Sequence, residues 1–261
     1  MAIVSDALAR LRSRAPLVHN ITNYVVMNTT ANALLAIGAS PAMVHAEEEA
    51  AEFVRLAQAL VVNIGTLSAS WLAAMEAAAG AANAAGVPWV LDPVAAGATV
   101  FRRSASARLA ELRPAAIRAN ASEILALAGQ TGAGKGVDST DTTEAAREAA
   151  RSLARRLGTV VAVTGAIDHV TDGSRVASVA NGHVMLTRVT GTGCTATALV
   201  GAFLGAGLPA FDASVAALAS LGVAAEFAAE RSSGPGGFET GLRDALYRLD
   251  DAALAARARV T

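Results

Sequence analysis

The stretch Val189-Thr190-Gly191-Thr192-Gly193-Cys194-Thr195-Ala196-Thr197-Ala198-Leu199 sets two glycines and the chain's single cysteine directly before an apolar, alanine-rich run. A glycine-rich turn that opens a helix offers unpaired backbone N–H groups to an anion, and the helix dipole adds partial positive charge there. Gly191 and Gly193 are therefore candidates for holding an anion. A thiol at such a point is expected to have a depressed pKa and to act as a weak base or nucleophile. A helix entry with one small buried residue would explain a lone Gly-x-Gly equally well. Four other segments shift the balance, because each ends in residues suited to a nucleotide or a metal.

Those segments are short β-branched runs. One ends at Asn63, Gly65 and Thr66, a second at Asp92, a third at Asn120 and Glu123, and a fourth at Thr164. In open α/β sheets ligands bind beyond the carboxyl ends of the strands. Taken singly, Asn, Asp and Thr are ordinary turn formers and caps, and Asp92-Pro93 alone reads as a turn. Their coincidence at one edge favours a catalytic rim. Asn120-Ala121-Ser122-Glu123 also fits a helix start with Asn120 as N-cap and Glu123 at the third position. A carboxylate there can still reach a hydrated Mg²⁺, which is commonly held by one or two carboxylates with phosphate and water.

Two other patterns are weaker. Gly129-Gln130-Thr131-Gly132-Ala133-Gly134-Lys135-Gly136 matches a Walker A loop through its lysine, but Gly136 stands where a Ser or Thr must bind Mg²⁺. It also follows a helical run rather than a strand. His19, His45, His169 and His183 show no metal-type spacing, and there is no Gly-x-Ser-x-Gly elbow. His19 is the most interesting of them; the other three are expected on the surface or in turns.

The elements that must position the rim follow from the same rhythm. Runs at 60–65, 87–93, 116–120 and 159–165 alternate with helical stretches to 85, 104–111, 122–128 and 142–157, the pattern of βαβ units and a mostly parallel sheet. Two further runs, 175–179 and 183–189, flank Asn181-Gly182, a hairpin signal that predicts an antiparallel edge. Helices are expected at 195–206, 212–230 and 238–257. Met1 to Arg14 reads as an amphipathic helix without the apolar core of a signal peptide. No uninterrupted apolar run is long enough to span a membrane. At 261 residues, without a shift in composition or an internal repeat, one domain over 1–261 is the economical organisation. A net charge of −1 gives no footprint for nucleic acid or an anionic membrane, and one cysteine fits a reducing cytoplasm.

Together these segments resemble the hydroxyethylthiazole kinase family of the ribokinase-like superfamily. The resemblance is carried, in order, by Val18-His19-Asn20-Ile21-Thr22-Asn23, Gly38-Ala39-Ser40-Pro41-Ala42-Met43, Asn63-Ile64-Gly65-Thr66-Leu67, Leu91-Asp92-Pro93-Val94, Ile117-Arg118-Ala119-Asn120-Ala121-Ser122-Glu123, Lys135-Gly136-Val137-Asp138-Ser139, Val163-Thr164-Gly165 and Gly191-Thr192-Gly193-Cys194. The Asn-x-x-Glu and Gly-x-Gly pieces are superfamily-wide. The His-Asn-Ile-Thr-Asn opening, Ser-Pro-Ala-Met and a cysteine where most members carry Asp are more specific.

The resemblance implies a three-layer α/β/α fold and ATP-dependent phosphorylation of the primary alcohol of 4-methyl-5-(2-hydroxyethyl)thiazole. It places Met43, Gly191 and Asn23 on the thiazole, and Arg118, Thr164 and Asn120 on ATP. Asp92 and Glu123 would hold Mg²⁺, and Cys194 stands where the superfamily places its base. It also implies a homotrimer with active sites between subunits. A nucleotide-dependent NAD(P)H-hydrate dehydratase normally carries Asp at position 194 and lacks the His-Asn-Ile-Thr-Asn opening. Hydroxymethylpyrimidine kinase is closer in chemistry, and fold alone does not separate it. A thiazole- or nucleotide-sensing protein would keep the rim without transfer.

Overall fold

The computed structural model describes residues 4–130 and 140–261, the first three of the second stretch by backbone alone. Eight strands form one sheet: β1 (Leu17–Ile21), β2 (Ser40–Met43), β3 (Ala59–Asn63), β4 (Trp89–Asp92), β5 (Ala116–Asn120), β6 (Val160–Thr164), β7 (Asp168–Thr171) and β8 (Val176–Val179). Their spatial order is β2-β1-β3-β4-β5-β6-β7-β8. The strands from β2 to β6 are parallel, and β7 and β8 are antiparallel additions.

Both faces of this sheet are covered, so its strands are apolar on both sides rather than alternating. One face carries α1 (Ala7–Arg14), α2 (Met27–Ile37), α8 (Thr192–Gly205), α9 (Ala210–Ala229), α10 (Pro235–Arg248) and α11 (Asp251–Arg257). The other carries α3 (Glu47–Phe53), α4 (Ala69–Ala85), α5 (Val100–Glu111), α6 (Ala121–Leu127) and α7 (Thr140–Leu157). Val61 and Val90 point to the first core, and Val62 and Leu91 to the second. This is the expected three-layer α/β/α arrangement. α8 lies close on the sheet because its inward face is small: a Cβ at Gly201 would meet Val61 Cγ2 at 2.5 Å.

Several expectations are corrected. The hairpin is made by β7 and β8, and its turn is Asp172-Gly173-Ser174, with Gly173 at φ +93° and Asp172 Oδ1 accepting from Ser174 and Arg175 N–H. Residues 183–189 form no strand; Val184–Arg188 is a 3-10 turn. Asn181-Gly182 instead ties the end of β8 to α9, with the Asn181 amide and Gly182 N–H both donating to Glu226 Oε1. The glycine-rich turn therefore follows a 3-10 turn rather than an edge strand.

The last helical run is two helices, broken where Leu249 turns extended and the Asp250 side chain caps α11 by accepting from Ala253 N–H. One helix, Ala210–Ala229, is long and apolar enough to cross a membrane by length and composition, yet 78% of its apolar window is buried inside the molecule. It is the core helix behind the edge strands. His169 is buried in β7, not on the surface; its Nδ1 meets Ser178 Oγ at 3.0 Å and its Nε2 meets Arg147. Most of the Walker-like loop, including Lys135, lies outside the described residues.

Candidate active site

The rim is built by register. Asn63 and Asp92 are paired at the ends of β3 and β4, and Asn120 and Thr164 at the ends of β5 and β6. Four of the expected polar residues therefore stand side by side where their strands stop. α8 then runs in over the same ends with its N-terminus.

Asp92 is fully buried. Its Oδ2 accepts from Asn63 Nδ2 and from Thr197 Oγ1, each at 2.8 Å. Its Oδ1 is buried without a hydrogen-bond partner and faces Arg118 Nη1 at 3.8 Å. Burial lifts the Asp92 carboxyl to about 6, against the opposing pull of Arg118. An orphan carboxylate oxygen in such a place is what a cation or a hydrated cation would satisfy.

Arg118, on β5, also donates to Thr164 Oγ1, and its guanidinium lies along the first turn of α8. A Cβ at Gly193 would come within 2.7 Å of Arg118 Nη1, so the absent side chain makes room for that charge. Gly191 caps α8 at φ +82° and brings no side-chain acceptor to the first-turn N–H groups. Those donors are left for an external anion. The space a Cβ would need at Gly191 is filled by Val26, 2.7 Å away.

Glu123 is committed on both oxygens. Oε2 accepts from Asn120 N–H at 2.9 Å and closes the expected capping box, while Oε1 accepts from Ala95 N–H at 2.8 Å. Ala95 stands at φ +56° in the turn after Asp92, a left-handed backbone costing on the order of 1 kcal/mol. Glu123 thus holds the Asp92 turn in shape and adds a second negative charge near Asp92. Each carboxylate oxygen keeps a lone pair for a water of a hydrated metal. Among the described residues no group of three His, Cys, Asp or Glu forms a metal cage. A pair of carboxylates fits a hydrated Mg²⁺, which takes only one or two, better than it fits a metal that demands such a cage.

Cys194 departs from its expected chemistry. It sits in the first turn of α8, with Asn23 Nδ2 3.6 Å from its sulfur. Burial and then the nearby Asp92 charge push the thiol up to about 11, outweighing the help of Asn63, Arg118 and Asn23. At neutral pH it is a thiol, not the activated thiolate that its place on the helix predicts.

The structure thus gathers Asn23, Asp92, Arg118, Asn120, Glu123, Thr164, Gly191, Gly193 and Cys194 around one rim. Met43 stands apart, at the end of edge strand β2 and paired with Asn20. Two contributors carry no sequence signal of their own. Thr197 reaches Asp92 from one turn inside α8. Arg102, on α5, donates to the carbonyls of Ile64, Gly65 and Val94 and so clamps the turns after β3 and β4 together.

Comparison with known proteins bears on what this rim serves. The model of the "Hydroxyethylthiazole kinase family" matches residues 8–252. A protein of Rhizobium etli named hydroxyethylthiazole kinase is 57% identical over 255 residues, covering 97% of this chain and 99% of the relative. One of Cereibacter sphaeroides with the same name is 57% identical over 242 residues, covering 93% and 92%. The solved structure of the hydroxyethylthiazole kinase protein of Pyrococcus horikoshii superposes with a TM-score of 0.93 at 48% identity, covering 100% of this chain and 99% of that one. The pyridoxal kinase of Staphylococcus aureus, at 16% identity and a TM-score of 0.61 over 79% of this chain and 86% of that one, shares the fold.

Proposed function

The chain belongs to the hydroxyethylthiazole kinase family, and from that premise we propose that it transfers the γ-phosphoryl group of ATP to the hydroxyl of 4-methyl-5-(2-hydroxyethyl)thiazole, in thiamine salvage. The observation that carries the proposal is the convergence of an uncapped helix entry, Arg118 and the half-satisfied Asp92 carboxylate. Phosphoryl transfer asks mainly for in-line positioning and neutralisation of charge. The first-turn N–H groups of α8, from Gly191 to Cys194, would stabilise charge growing on the transferred oxygens. Arg118 and Thr164 would hold the polyphosphate, with Asn120 in support. Asp92, directly, and Glu123, through water, would hold Mg²⁺, which when bound neutralises phosphate charge.

On the acceptor side, Asn23 and Gly191 would border the alcohol. With its thiol protonated, Cys194 serves by orienting the hydroxyl through its sulfur rather than by taking its proton in the ground state. That is compatible with a loose transition state, in which the O–P bond to the acceptor forms as the bond to ADP breaks and the hydroxyl proton passes late to an oxygen of the transferred phosphoryl group. Met43 lies three strand positions from Asp92, roughly 14 Å at ordinary sheet spacing. The family resemblance, rather than this separation, supports a trimer in which Met43 lines the thiazole pocket of a neighbouring subunit.

The test is direct. The protein is incubated with Mg²⁺-ATP and, separately, with the thiazole alcohol, hydroxymethylpyrimidine and hydrated NADH. ADP and a phosphorylated product are expected with the thiazole alcohol alone. Product only with the pyrimidine, repair of the hydrated cofactor, or binding without turnover would each replace the proposal.

A further inference from the structure

We infer that the end of β3 is a seat for the Asn23 amide, and that Asn63 and Gly65 are positioning residues for the phosphoryl acceptor. The inference rests on the reading that Asn23 and Cys194 meet the alcohol. Asn63 is buried, and its orientation is fixed from two sides. Its Nδ2 donates to Asp92 Oδ2 at 2.8 Å, and its Oδ1 accepts from Gly65 N–H at 2.9 Å. A backbone N–H can only donate, so the Asn63 carbonyl must face that side.

The same Oδ1 accepts from Asn23 Nδ2 at 2.8 Å, while Val25 N–H donates to Asn23 Oδ1 at 3.1 Å. Both ends of the chain of amides are thus set by backbone donors. The outcome is that Asn23 turns an N–H, and not its carbonyl, toward Cys194 Sγ. A flipped Asn23 would set oxygen against oxygen at Asn63 and donor against donor at Val25, each leaving a buried polar group unmatched.

Gly65 forms the wall of the seat. A Cβ there would lie 2.5 Å from Asn23 Nδ2 and 2.7 Å from its Cγ. The wall itself is anchored, because Arg102 Nη2 donates to Gly65 O at 2.7 Å. Gly65→Ala would therefore displace the Asn23 amide, with no direct clash against the other polar groups of the rim among its nearest atoms. It touches neither Asp92 nor the Arg118–Thr164 contact.

Steady-state kinetics on the full chain provides the test. Gly65→Ala is expected to lower kcat at least about tenfold, raise KM for the alcohol and leave KM for ATP within about twofold, as misplacement of one reactant does. Asn63→Leu should lower kcat further, since it also strips Asp92 Oδ2 of a donor, and adding Gly65→Ala to it should cost less than Gly65→Ala costs alone, since both displace the Asn23 amide. A kcat for Gly65→Ala within about twofold of wild type overturns the seat. So does a loss that follows Tm and falls equally on both substrates. Should Gly65→Ala fail to fold, Asn63→Leu is compared with Thr197→Val, which removes the other donor to Asp92 Oδ2 and leaves Asn23 alone: a larger rise in KM for the alcohol with Asn63→Leu upholds the seat, and an equal one overturns it. Crystals of Gly65→Ala separate the two levels of failure: an unmoved Asn23 amide rejects the seat whatever the activity, whereas absence of turnover by the wild type rejects the functional reading.

Discussion

At the scale of single residues, Cys194 shows position and environment pulling in opposite directions. The open helix entry favours a thiolate, but burial and the Asp92 carboxylate outweigh it. Cys194→Ser is therefore expected to keep nucleotide affinity and to lower kcat by about tenfold or less, the worth of one hydrogen bond. Calorimetry and steady-state kinetics check this. Unchanged kcat removes the orienting role, and a loss of several thousandfold would restore a thiolate base. His19 offers a second test, on stability. It is buried in β1, its Nε2 meets Val44 O at 2.8 Å, and burial pushes its pKa down to about 4. The unfolded chain takes up this proton more readily than the folded one. The stability His19 contributes is thus complete above about 6.5 and is lost as pH falls toward 4, roughly 3 kcal/mol in all. His19→Gln should flatten the fall of Tm over that window relative to wild type, and parallel curves would reject the assignment.

At the scale of elements, the capping box on α6 does more than start a helix. Through Oε1 of Glu123 it also holds the left-handed Ala95 in the turn that follows Asp92. Glu123→Gln replaces one accepting oxygen with an NH₂ group facing a backbone donor. It should cost about 1 kcal/mol of stability and raise the Mg²⁺ concentration needed for half-maximal turnover. A Mg²⁺ titration that overlays the wild type would remove Glu123 from the metal's surroundings. The cap was legible in sequence because its two halves lie three residues apart. Arg102 was not, because its partners are backbone carbonyls contributed by two separate turns, and carbonyls carry no residue signature. β1 and β2 were seen only as motifs: His19 and Asn20 are consecutive buried polar residues that hide the strand, and Pro41 sits in an edge strand that pairs on one side. The antiparallel edge was foreseen, but with the wrong turn. Asn181-Gly182 has the composition of a hairpin, while Glu226 and the Arg257 carbonyl claim its amide groups from afar. Tertiary partners decided there, and Asp172-Gly173 made the turn.

At the scale of the whole molecule, the proposed trimer makes two measurable claims. Sedimentation should give three times the 26.2 kDa mass of one chain. Met43→Asp and Asp92→Asn should each be inactive alone, yet regain part of the activity when coexpressed, because an intact Met43 from one chain can meet an intact Asp92 of another. Failure to complement would confine each site to a single chain. The sheet's two margins are not equivalent in this respect. On the outer side of β8, Ser178 exchanges both backbone hydrogen bonds with Thr261, and Val179 bridges to Val260, so the final residues act as a selvedge. Unpicking that border, by trimming the tail or by fusing a bulky tag to it, would strip Ser178 of these bonds while its hydroxyl still steadies His169.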